Sequence, residues 1–173
     1  MNGNIHRGPN RPMLPIEPLQ FISAALVRGF FAVSVLPIAG CRMIDLPVRG
    51  DERGSLVAIE PGALLPFPIE RIYYIYGTSA GVSRGFHAHR KLRQWAIAVS
   101  GSCTMLLDDG VRRISIQLDR PDRALEFGPM IWREIHDLSP DAVLMVLADS
   151  AYDEADYIRS YDDFRAMIAA EQE

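Results

Sequence analysis

The sequence predicts an all-β domain, and three observations carry that prediction. From residue 43 onward, short apolar runs alternate with turn residues, and several runs are rich in β-branched and aromatic types, as in Arg71-Ile-Tyr-Tyr-Ile-Tyr76. Turn signals separate the runs: Ser100-Gly101-Ser102, Asp108-Asp109-Gly110, and Asp119 to Asp122 around Pro121. The runs recur roughly every eight to twelve residues, the spacing of a β-sandwich or barrel.

Taken in order, strands are expected at 43–46, 55–59, 71–76, 84–89, 92–99, 103–108, 111–117, 124–127, 131–137 and 142–148. Asp162 to Ala170 has helical composition and is expected to pack over one mouth of the sheet. Residues 1–42 read as an N-terminal extension to a domain spanning 43–173. Pro9, Pro12, Pro15 and Pro18 break up its first part, which predicts poor order. Residues 19–36 are apolar but interrupted by Arg28, too short and too broken for a transmembrane helix. Ile38-Ala39-Gly40-Cys41 has the form of a bacterial lipoprotein cleavage box, with Arg7 and Arg11 upstream. An export signal, an amphipathic extension and a start assigned too early therefore compete. Met43-Ile-Asp-Leu-Pro, a clean domain opening, favours the early start or a dispensable extension of a cytoplasmic protein.

The chain has 173 residues, 49% apolar and 23% charged, ordinary for one globular domain. A net charge of −4 argues against a general nucleic-acid binder. Cys41 and Cys103 form no CxxC, which excludes zinc ribbons and dithiol redox motifs and leaves buried free thiols as the expectation.

Against this acidic background, Arg84-Gly-Phe-His-Ala-His-Arg-Lys91 concentrates cations around two histidines. A strand sends residues i and i+2 to one face, so His87 and His89 are expected to point the same way. Two imidazoles beside anion-holding groups point to proton transfer on a negatively charged substrate.

The spacing resembles the first cupin motif, with Gly81, His87, His89 and Gly101 in place but Gln94 where an acidic ligand is usual. In the second motif Glu134 stands where a histidine is expected, and His136 follows two residues later. More specifically, Asp51-Glu-Arg-Gly-Ser-Leu, Arg71-Ile-Tyr-Tyr-Ile, Arg84-Gly-Phe-His-Ala-His, Gly128-Pro-Met-Ile-Trp-Arg-Glu-Ile-His-Asp and Tyr152-Asp-Glu-Ala-Asp-Tyr-Ile-Arg resemble the sugar 3,4-ketoisomerases, the WxcM-like or FdtA/QdtA-like family. The likeness runs over roughly 43–168. It implies a cupin jelly-roll β-barrel with a short C-terminal helix, a homodimer with N-terminal strand exchange, and no metal or other cofactor. It implies a dTDP-4-keto-6-deoxyglucose substrate, and no nucleic-acid or membrane partner.

On this resemblance His89 is expected as the base and His87 as its relay or orienting partner. Arg84 is expected on the pyrophosphate, where its guanidinium fork suits phosphate oxygens, with Arg71 reaching the same anion or the thymine edge. Tyr73 or Tyr74, one of them inward, is a candidate for the sugar or base. Trp132, Arg133 and His136 are expected along the mouth or floor, and Arg53 and Arg133 near the sugar, influencing the face on which C4 is protonated. Three rivals stand beside this reading. One is a metal-dependent cupin using His87, His89 and His136 with Glu134, which Gln94 and the nearby cations disfavour. The others are a cupin that only binds a sugar nucleotide, and a 3,5-epimerase relative, which would need a tyrosine that the sequence does not identify.

Overall fold

A computed structural model describes residues 14–18, 23–27, 31–62 and 64–171. The ten expected strands and the helix are all present, with ends within two residues of expectation. Along the chain they are β1 (Ile16–Glu17), β2 (Ser23–Val27), β3 (Phe31–Val35), β4 (Arg42–Asp45), β5 (Val48–Asp51) and β6 (Gly54–Val57). Then come β7 (Arg71–Tyr76), β8 (Arg84–His89), β9 (Gln94–Ser100), β10 (Cys103–Asp108) and β11 (Arg113–Leu118). The chain closes with β12 (Arg123–Phe127), β13 (Trp132–His136), β14 (Val143–Ala148), a 3-10 turn (Glu154–Asp156), β15 (Tyr157–Ile158) and α1 (Tyr161–Ala170).

Two sheets face one another, ordered β1-β11-β10-β13-β8-β15 and β2-β3-β4-β12-β9-β14-β7. They pack face to face as a sandwich whose edges do not close, the all-β jelly-roll architecture with a short C-terminal helix that the resemblance implies. Period-2 alternation gives each strand one face for the interior. Met105 and Leu107 from the first sheet meet Ala96, Leu125, Leu144 and Val146 from the second in the main core. Trp95, Ile97 and Leu147 point outward from the second sheet and are covered by Leu65 and Phe67. Ala88 and Trp132, on the outside of the first sheet, are covered by Ile158 and by Phe164 of α1. Ser160 caps α1, its hydroxyl accepting from Asp163 N–H.

Strands β2 and β3 pair antiparallel, and β3 continues onto β4. The segment ahead of Met43 thus contributes to the sheet, and Leu36, Ile38 and Cys41 are buried in the main core. Ile38-Ala39-Gly40-Cys41, which has the form of a cleavage box, is the tight turn joining β3 to β4: Cys41 N–H donates to the Ile38 carbonyl. The expectation for residues 1–13 lies outside the described residues. Among the described residues, no helix is long and apolar enough to cross a membrane.

One irregularity positions the site. β13 pairs antiparallel with β8 as Arg133↔His87, then shifts to Glu134↔Gly85 and Ile135↔Arg84, so Phe86 is an extra residue. Gly85 and Phe86 take positive φ, 89° and 52°. Residues directly opposite in an antiparallel pair share a face. Simple alternation would send Arg84 and His87 to opposite faces; the bulge turns both inward beside Arg133 and Ile135. Gly85 is required here, because a Cβ would lie 2.8 Å from the Arg133 carbonyl oxygen, at a φ that side chains avoid. Gly85→Ala is therefore expected to cost about 2–4 kcal/mol, combining the left-handed penalty with overpacking. Denaturant unfolding measures it, and a loss under about 0.5 kcal/mol, the level of an ordinary surface change, would show the contact is not tight.

Candidate active site

A cavity of about 400 Å³ opens at one end of the main core. Its floor is apolar, with Met105, Phe127, Ile135 and Leu144; Arg71, Arg84, His87, Arg133, Tyr152 and Tyr157 add the polar groups. Among the described residues, no aspartate or glutamate lines it.

His87 stands on the cavity wall and is half-buried. Its Nδ1 lies 2.9 Å from the Gly85 carbonyl oxygen. A carbonyl only accepts, so Nδ1 carries the hydrogen and Nε2 keeps a lone pair. His89 lies behind it, 2% exposed, with ring centroids 4.9 Å apart and nearly perpendicular. Tyr157 packs against both rings, 4.9 Å from His87 and 4.2 Å from His89. The two histidines thus share a face, as the i, i+2 spacing predicts, but only His87 borders the cavity. Burial pushes the His87 imidazole down to about 4, with the Arg133 charge as the next cause. Burial and then Arg133 also push His89 well below the ordinary range. Both rings are neutral at pH 7, the form that accepts a proton.

Arg133 is fully buried in the wall, and its Nε and Nη1 have no hydrogen-bond partner. Its guanidinium lies 5.1 Å from the centre of the Phe127 ring, and burial lowers it to about 10. Arg71 also has an unpaired Nε and stacks over Tyr73 and Tyr152. Arg84 is exposed at the rim. None of the three forms an ion pair with a described carboxylate, so all are available to an anion. Tyr73 faces inward and accepts at 2.8 Å from Gln94 Nε2, leaving its own proton for the cavity, whereas Tyr74 points to solvent.

Other expected site residues go elsewhere. Trp132 and His136 face the outside of the first sheet, since alternation separates them from Arg133 and Ile135. His136 Nε2 and Trp132 Nε1 both bond Glu134, which also pairs with Arg113, and His136 Nδ1 meets Ser83 Oγ. This is a satisfied structural cluster. His87, His89 and His136 are therefore not brought together, and the described residues contain no convergent set of three His, Cys, Asp or Glu side chains. Arg53 sits at the tip of the β5–β6 hairpin, paired with Asp51 and away from the cavity.

Tyr152-Asp-Glu-Ala-Asp-Tyr-Ile-Arg is one of the blocks that carry the resemblance, but no site residue was expected in it. Its pairing on β8, Tyr157↔His89 and Ile158↔Ala88, carries Tyr152, Asp156 and Tyr157 to the histidines. A block dense in tyrosine and carboxylate just after the last long strand was the available signal.

The family model described as "FdtA: WxcM-like, C-terminal" matches residues 39–169. A TDP-4-oxo-6-deoxy-alpha-D-glucose-3,4-oxoisomerase from Aneurinibacillus thermoaerophilus is 53% identical over 119 residues, 69% of this chain and 86% of that protein. A crystal structure of a 3,4-ketoisomerase from Helicobacter canadensis superposes with TM-score 0.73 at 43% identity, covering 75% of this chain and 97% of the other. The sugar 3,4-ketoisomerase QdtA from Thermoanaerobacterium thermosaccharolyticum, solved with TDP, gives TM-score 0.76 at 36% identity over 78% and 98% of the two chains. With the matched model spanning most of the sequence, the chain belongs to the WxcM-like, FdtA-type family of sugar 3,4-ketoisomerases.

Proposed function

We propose that the cavity isomerises a thymidine-diphosphate 4-keto-6-deoxyhexose, moving the ketone from C4 to C3 through an enediol. One observation carries the reading: a neutral imidazole, His87, backed by a second, His89, shares a cavity with three arginines that have no ion-pair partner, and no described carboxylate lines it, in a chain of net charge −4. That environment accepts a proton from carbon and holds negative charge, on a diphosphate and on an oxygen. The identities of the relatives' substrates support the same choice.

His87 takes the C3 proton on Nε2, since it, and not His89, meets the cavity. The electrons of that C–H bond form the C3–C4 double bond, and the C4 oxygen becomes an enolate oxygen that is then protonated. Loss of the O3 proton and protonation of C4 leave the ketone at C3. Arg133, with two unpaired donors beside His87, stabilises the enolate oxygen. Arg71 and Arg84 hold the diphosphate at the rim, and Tyr73 donates to the sugar. His89, behind His87, relays the proton. The 3-keto product suits an aminotransferase making a 3-amino-3,6-dideoxy sugar in the cytoplasm, for surface polysaccharide or a natural product.

A homodimer completes the proposal. On β7, at the end of its sheet, Ile72, Tyr74 and Tyr76 are 58%, 64% and 68% exposed and form one apolar stripe. A second copy is the occupant that the family resemblance implies, and strand exchange would replace the β3–β4 pairing by the same pairing between copies. Sedimentation is expected to show a dimer that Tyr74→Asp weakens; a monomeric unaltered chain contradicts it.

Turnover of dTDP-4-keto-6-deoxyglucose to the 3-keto isomer, followed by NMR, tests the activity itself. Arg133→Met should lower kcat by about 10²–10³-fold, the range for one oxyanion donor. The fold should persist, because removing a buried unpaired cation is not destabilising. The acid limb of kcat/KM should lie near 4 in the unaltered enzyme, where His87 gains its proton. It should move upward in Arg133→Met, because the cation that disfavours the imidazolium is gone. Unchanged turnover with an unmoved limb would remove Arg133 from the reaction.

A further inference from the structure

Behind the catalytic cavity lies a second, smaller pocket of about 90 Å³, walled by His89, Lys91, Asp153 and Asp156, with Arg71 and Tyr157 shared between the two. Asp156 is committed here by both carboxylate oxygens. Oδ2 lies 2.8 Å from His89 Nδ1, and Oδ1 accepts the Lys91 backbone N–H at 2.9 Å. Its own carbonyl accepts the Arg90 N–H at 2.9 Å. Three bonds to three successive residues fix Asp156 against the end of β8, so its carboxylate cannot swing away from the ring.

We propose that Asp156 is a positioning residue that sets the tautomer of His89, holding the hydrogen on Nδ1 and leaving Nε2 as the proton acceptor of the relay. A carboxylate has no hydrogen to give, so Nδ1 must donate to it. The ring is buried and neutral, so its one remaining nitrogen carries the lone pair. Gly85 does the same for His87 through its carbonyl, 2.9 Å from Nδ1. Both histidines are thereby set to the same tautomer by separate acceptors, one from the bulge and one from a segment 67 residues away. Two rings in matched tautomers pass a proton in one direction only if each presents an acceptor at the start of its step. A flipped His89 would present a donor to His87 and stop the relay. This inference rests on the relay role proposed for His89.

Substitution by asparagine and by alanine separates positioning from support. In Asp156→Asn the amide oxygen stays on the Lys91 N–H, which turns the NH2 toward His89. Nδ1 must then accept, and the proton moves to Nε2. In Asp156→Ala the ring is free to adopt either tautomer. Turnover should therefore fall more in Asp156→Asn, by roughly 10²-fold, within the range a general acid–base group supplies, than in Asp156→Ala. KM and TDP affinity should hold in both. A merely structural aspartate gives the reverse order, since asparagine keeps the most contacts. Nitrogen-15 NMR of the imidazoles reads the tautomer directly and needs neither substrate nor the alanine variant, with His89→Gln to assign the signals. The Nδ1–H form in the unaltered chain and the Nε2–H form in Asp156→Asn are expected. His89 keeping the Nδ1–H form in Asp156→Asn, or Asp156→Ala slower than Asp156→Asn, overturns the proposal. An unaltered chain that does not isomerise the sugar would instead overturn the activity, while the tautomer still decides what Asp156 does.

Discussion

A guanidinium buried without an ion-pair partner among the described residues dominates the electrostatics around Arg133. Burying a cation is costly, and most proteins offset the cost with a carboxylate or neutralise the group. Here the charge is retained, lowered only to about 10, and two of its nitrogens are unpaired. Its field helps keep His87 and His89 unprotonated, so both imidazoles are in the form that can accept a proton at neutral pH. The same charge is unsatisfied until negative charge develops beside it. In the proposed isomerisation, an interaction absent in the free protein and made only as an enolate forms would lower the barrier rather than merely tighten binding. Stability is given up for this, as at many functional sites.

The fold supplies the geometry in two separate ways. The extra residue at Phe86 turns Arg84 and His87 to one face and lets the Gly85 carbonyl orient the His87 ring. The C-terminal segment supplies the other half, laying Tyr157 against both rings and Asp156 against His89. Below it, α1 is tied down by Phe164 in the outer cluster and by Tyr161 donating to the buried Asp108. A helix distant from the cavity therefore holds the strand on which the histidine pair depends.

Much of the fold was legible because alternation and turn chemistry are local. The runs around Asp108-Asp109-Gly110 and Ser100-Gly101-Ser102 could be only hairpins, and the i, i+2 spacing gave the shared face of His87 and His89. Alternation also separates Trp132 and His136 from Arg133, and grouping the three in one site overlooked it. Arg84 was assigned to the cavity by resemblance alone, since a bulge is invisible to simple period-2 reading. The contact of Asp156 with His89 was beyond reach, as nothing local joins residues 67 apart. Leu36 ends an apolar run and Ile38 to Cys41 have the form of a cleavage box, so nothing local showed that Leu36, Ile38 and Cys41 pack in the main core. The order within the histidine pair depends on depth, and a strand pattern reports face but not depth.

That order is the centre of the account, and isotope exchange at a single carbon tests it. The C3 proton of dTDP-4-keto-6-deoxyglucose is followed by NMR in deuterium oxide with the unaltered enzyme and with His87→Asn, TDP affinity being measured alongside. If His87 is the group that meets the substrate, the variant binds TDP normally and C3 keeps its proton. Loss of the C3 proton at the unaltered rate in His87→Asn would contradict the account and give the base role to His89.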